Sequence, residues 1–137
     1  DIPIVQNINA GLIERYIKCW YEDVESKPDL YNKIAELWKT VIKSNRKIGP
    51  AIIQDIYKTL TNADHPDYIG AITMYILPQF EGLLEKDIIN TIKNIKKLEF
   101  IGREDEEELD QYASEFFGIN KDSFKNFKQK EPVAPLE

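Results

Sequence analysis

Apolar residues recur along this chain at intervals of three and four, in blocks separated by proline, glycine and short polar runs, and that period predicts helices throughout. Leu12, Ile13, Tyr16, Ile17, Trp20 and Val24 form the first block, behind the N-cap candidates Asn7 and Asn9 and opposite a charged face. Pro28 opens a second helix, whose stripe of Leu30, Ile34, Leu37, Trp38, Val41 and Ile42 is the cleanest in the sequence. Pro50 opens a third, with Ile52, Ile53, Ile56, Tyr57 and Leu60 facing inward until the polar loop at 61–66. Tyr68, Ile69, Ile72, Tyr75 and Ile76 predict a fourth, which Pro78 should stop or kink because it lacks a donor. Leu84, Ile88, Ile92 and Ile95 give a fifth.

Residues 97–102 read as a connector. The acids at 104–108 suit the first turn of a sixth helix, where the helix dipole favours them, and Leu109, Tyr112, Ala113 and Phe116 are its expected inward positions. Residues 120–130 add one more turn around Phe124 and Phe127, and 131–137 read as a flexible tail. There is no internal repeat and no sustained heptad. The expected fold is all-α, a compact helical bundle of about five to seven helices.

At 137 residues the chain is the size of one domain and long enough to close a single core. Its net charge of −6 argues against a broad grip on nucleic acid, which needs a concentrated basic surface, and leaves room only for a local basic patch. No run is long and apolar enough for a membrane span, and the start lacks a secretion-type leader, so the expected location is cytoplasmic. Cys19 is the sole cysteine, which excludes an intrachain disulfide and a cysteine-rich zinc site; it is expected to pack as a small hydrophobe. A first residue of Asp1 and a final Leu136-Glu137 suggest a piece of a longer protein.

Candidate chemistry is sparse. His65 and the acids from Glu104 to Asp110 have neither partner ligands nor calcium-loop spacing, and no Gly-x-x-x-x-Gly-Lys-Ser/Thr phosphate loop is present. No catalytic residue and no metal ligand are assigned, and no catalysis is expected from this chain alone. The exception is the turn Ser44-Asn45-Arg46-Lys47-Ile48-Gly49-Pro50, which sets two cations before a helix start whose N–H groups lack partners. Arg46, Lys47, Gly49 and Pro50 are therefore the candidate phosphate-binding residues. The same turn also reads as an ordinary helix connection, with Gly49 permissive and Pro50 at the first helical position.

That turn, the helix it opens, and the later Tyr75-Ile76-Leu77-Pro78-Gln79-Phe80-Glu81-Gly82-Leu83 together resemble the C-terminal helical lid of an AAA+ ATPase, closest to the MoxR-like and McrB-like branches. The resemblance covers residues 7–90. It implies that 1–97 form a lid-like bundle and that 98–130 are a helical extension packed on it. It further implies a lid that closes over ATP and Mg held by a missing N-terminal core, with that core and neighbouring subunits as partners. In the family an arginine follows the proline and meets the γ-phosphate; here that position is Ala51, leaving Arg46 and Lys47 as the available cations.

Two other readings stand beside it. A free-standing protein-interaction module would expose Tyr68, Tyr75, Tyr112, Phe116 and Phe117 on one open surface, toward a protein client. A DNA-binding domain, the weaker of the two, would align Lys39, Lys43, Arg46, Lys47 and Lys58 toward phosphates.

Overall fold

Isoleucine supplies about half of the buried apolar side chains, and that choice shapes how the helices are held. A β-branched residue is a weak helix former, so helices carrying so many of them depend on tertiary packing more than on propensity. The computed structural model describes residues 7–43, 47–62 and 64–125, which form six helices and no strand, an all-α bundle. They are α1 (Ala10–Trp20), α2 (Pro28–Lys43), α3 (Pro50–Thr61), α4 (Tyr68–Ala71), α5 (Glu85–Lys96) and α6 (Arg103–Phe117), followed by a 3₁₀ turn at Lys121–Phe124. Arg46, Phe127 and the expected tail lie outside the described residues.

Helix starts follow the local chemistry. The Asn9 side chain accepts from the Leu12 N–H at 2.9 Å, and the Asp67 side chain accepts from the Gly70 N–H at 2.9 Å. Pro28 and Pro50 occupy first helical positions, where a missing N–H costs nothing. Gly118 ends α6 at φ 69, a left-handed conformation that suits a residue without a side chain.

α1 lies along α2, and the second helix is the spine of the bundle, also meeting α3 and α5. Leu30, Tyr31, Ile34, Ala35, Leu37, Trp38 and Val41 of α2 are all buried. Trp38 has no exposed surface; its ring meets Tyr16 at 6.1 Å, and Tyr16 stacks on Trp20 at 5.3 Å.

Pro78 has the expected effect, in a particular form. α4 widens into a π segment, Ile72–Ile76, in which the Leu77 N–H reaches the Ile72 carbonyl, and then tightens into a 3₁₀ turn, Leu77–Phe80. The change of pitch keeps Ile72, Ile76, Leu77 and Phe80 inside while Met74 is 59% exposed. Thr59 Oγ1 donates to the Tyr75 hydroxyl at 2.9 Å and ties α3 to this segment.

Four expectations about side chains need correction. Cys19 is exposed, because the α1 face that meets α2 carries Ile13, Tyr16, Ile17 and Trp20. Leu84 precedes α5 as its N-cap residue and projects outward. Tyr112 and Phe116 are exposed: α6 turns Leu109, Asp110 and Ala113 to the core instead, since its buried stripe is narrower than the apolar pattern suggests.

A buried ion pair joins the C-terminal elements. Lys96 at the end of α5 places Nζ 3.0 Å from both oxygens of Asp110 on α6 and donates to the Phe124 carbonyl at 2.6 Å. Burial pushes the Asp110 carboxyl up from its ordinary range, and Lys96 offsets this only in part. Asp110→Ala would leave a buried ammonium without its partner, and denaturant unfolding should register a loss of about 3–5 kcal/mol. The double variant Lys96→Met with Asp110→Leu should lose much less, because it removes both charges.

Tyr57 sits between Tyr21 and Tyr31, with ring centroids 5.6 and 6.4 Å away. Burial, and then the charges of Tyr31 and Tyr21, hold its phenol above the ordinary value. A folded pKa raised above the unfolded one, near about 10, means its stabilisation is complete below that pH and is lost as pH rises through the folded value. Urea midpoints measured from about pH 8 to pH 11 should therefore fall less steeply for Tyr57→Phe than for the parent chain.

Candidate functional site

Among the described residues between α2 and α3, Ile48 is anchored by a buried hydrogen bond. The Trp38 indole Nε1 donates to the Ile48 carbonyl at 3.0 Å in a fully buried setting, and the Ile48 side chain enters the core. A buried indole N–H without a partner is costly, so this bond specifies where the chain returns after α2. With Ile48 held inside, Lys47 is exposed on one side of it and Gly49 and Pro50 are half-buried on the other.

Gly49 is the N-cap of α3 with extended backbone, φ −95 and ψ 177, and makes no side-chain cap. Its carbonyl accepts from the Ile52 N–H at 3.2 Å. A methyl group in place of its hydrogen would meet no heavy atom within 4 Å, so neither crowding nor backbone angle demands glycine here. Ala51 is exposed.

Among the candidate residues, the structure brings Lys47, Gly49 and Pro50 together at one helix start, while Arg46 lies outside the described residues. Lys39 pairs with Glu36 at 3.4 Å, and Lys58 lies in the last turn of α3, about 12 Å of helix axis from its start.

A cleft lies elsewhere, and the pattern of helices did not announce it. It encloses about 600 Å³ between the first half of α2 and the α5–α6 connector, where Asp29, Lys33 and Glu36 face Lys97, Glu99 and Phe100. A second cleft of about 340 Å³ shares Asp29 and Lys33 and runs past Tyr68. Lys33 Nζ lies 5.5 Å from the centre of the Tyr68 ring, and Tyr68 meets Phe100 at 4.9 Å. Burial, then the charge of Asp29, raises the Tyr68 phenol. Spacing on α2 alone reveals its half of the cleft, residues 29, 33 and 36 on one polar face; the opposing half comes from about seventy residues downstream. Both clefts mix acids and lysines, so neither presents a concentrated charge of one sign to a ligand.

Aromatic residues divide between two settings. Tyr68 and Tyr75 are half-buried in the bundle, whereas Tyr112 and Phe116 are 37% and 42% exposed on α6. Phe117 is half-buried, stacked on Phe80 at 6.5 Å, with Phe116 edge-on to it at 4.8 Å.

Among the described residues no group of three or more His, Cys, Asp and Glu side chains is arranged to hold a metal ion, and no helix is long and apolar enough to cross a membrane. No family model, curated protein or solved structure matches the chain.

Gly49→Ser tests the openness of the turn. Its side chain has room and can cap α3, so stability should stay within about 1 kcal/mol of the parent or rise slightly. A thermal or urea midpoint showing a loss above about 2 kcal/mol would mean the turn packs against something.

Proposed function

We propose that this chain is the helical lid of an AAA+ ATPase, closing over nucleotide held by a separate core that lies N-terminal to it. The observation that carries the reading is the anchored turn. Trp38 draws Ile48 inward, and this leaves exposed Lys47 beside an α3 terminus whose N-cap, Gly49, has no side chain to cap it. A terminus of that kind favours an anion brought to it by another domain. The residues of the second motif also have definite work: Pro78 forces the change of pitch and Phe80 is fully buried beneath α6.

The described residues do not form a nucleotide site by themselves. Beside the α3 start they offer exposed Lys47 and a helix terminus, without an arginine at position 51, so the phosphates would be held chiefly by the core and the lid's part is contact and closure.

The coding sequence for about 250 residues before Asp1, the span of a nucleotide-binding domain, is expected to hold a phosphate loop followed by an acidic strand. In the protein so defined, Lys47→Ala should lower ATP turnover or binding about tenfold, the scale of one lost charged hydrogen bond. An unrelated upstream domain would overturn the lid reading. A second reading, a helical interaction module, is favoured by the exposed rings of Tyr112 and Phe116 and would then be the better account.

A further inference from the structure

The outward side of α6 combines two features that solvated helices usually keep apart. Glu104, Glu108, Tyr112, Glu115 and Phe116 are all exposed; Glu104, Glu108, Tyr112 and Phe116 follow one another at intervals of four, with Glu115 three after Tyr112, so they share one side of the helix, its two rings bordering the buried Leu109 and Ala113. Nothing in helix propensity calls for aromatic rings at these positions, since Glu, Lys or Gln would form the helix as well and cost no exposed apolar surface.

The rings are also held in place. Phe116 rests edge-on against Phe117, which stacks on Phe80, and Phe80 is fully buried. The Tyr112 hydroxyl lies near the Glu108 carboxylate, which raises its phenol. Aromatic groups already ordered before contact lose little freedom on binding, which is the property of interface anchors. Met74, on the π segment that packs against α6, is exposed as well.

Charge selects the partner. Glu107 is the one acid of this helix's exposed surface, among the described residues, that lysines neutralise, with Lys121 at 2.9 Å and Lys125 at 3.3 Å. Lys96 is committed to Asp110, and Arg103 stands at the first helical position. Glu104, Glu108 and Glu115 have no ion pair among the described residues, and Asp67 adds its charge near Tyr112. Anchoring rings with an acidic border complement a segment that alternates large apolar residues with lysine or arginine. A second copy of this chain would oppose the stripe with an equal set of acids, so self-pairing through it is disfavoured by repulsion.

We propose that this face of α6 docks a basic amphipathic helix of another protein. The inference does not depend on nucleotide or on the lid reading, and it is tested without either. The probe is a fluorescein-labelled peptide of four Leu-Lys-Lys-Leu repeats, titrated with the full chain and followed by anisotropy; the comparison peptide carries Glu in place of Lys. Phe116→Ala and Tyr112→Ala are surface changes, so circular dichroism and the unfolding midpoint should remain those of the parent.

The basic peptide is expected to bind, and the acidic one not to. Each aromatic variant should weaken binding about tenfold. Glu108→Gln with Glu115→Gln should weaken it too and flatten its salt dependence, while Glu22→Gln with Glu25→Gln, in the α1–α2 loop, should leave it unchanged. Absence of binding at about 100 μM, well above the range of a useful contact, would overturn the proposal. So would equal binding of the two peptides, insensitivity to Phe116→Ala and Tyr112→Ala, or a parent chain whose own dimerisation those variants abolish.

Discussion

The bond from the Trp38 indole to the Ile48 carbonyl settles how the first half of the molecule closes. Trp38 lies in the middle of the most buried helix, meets Tyr16 on α1, and at its polar end holds the chain that is about to start α3. Three helices are thus referred to one side chain, whose apolar area and single donor are both satisfied only in this arrangement. The exposed position of Lys47 goes with the same bond, because drawing Ile48 inward turns the residue before it outward.

The second half is organised differently. Lys96 gathers α5, α6 and the final 3₁₀ turn through its ammonium group, with Asp110 and the Phe124 carbonyl as acceptors. Such a pair adds little net stability over an apolar substitute, yet it penalises any register that parts the charges. Between the halves stands the segment from 68 to 80, whose passage from α to π to 3₁₀ geometry accommodates Pro78 while keeping Phe80 in the core. Phe80 supports Phe117 and through it Phe116, so the shape of the α6 surface depends on that irregular segment.

The two roles proposed for this chain would fall on different halves. The anchored turn on the α2–α3 side offers hydrogen-bond donors and a cation without an enclosed pocket, a surface suited to meeting a ligand that another domain holds. The α6 face offers ordered rings within an acidic border. A lid that moves against a core and also carries a docking helix would use both, and neither use requires chemistry within the bundle itself.

The period of apolar residues and the placement of prolines made the helices and most of the core readable in advance, because amphipathic spacing and lost donors act locally. The basic turn and the Pro78 break were legible for the same reason. Spacing did not reveal which apolar residues stay outside. Tyr112, Phe116 and Leu84 satisfy the inward pattern yet are exposed, and Cys19 lies on the far side of α1, since burial depends on which face a neighbouring helix covers. The Trp38–Ile48 bond and the Lys96–Asp110 pair span ten and fourteen residues, and the Lys33–Tyr68 contact a longer stretch. Helix identity is decided by each residue's near neighbours along the chain; these pairings, and the surfaces they leave open, arise only when separate helices compete for the same interior space.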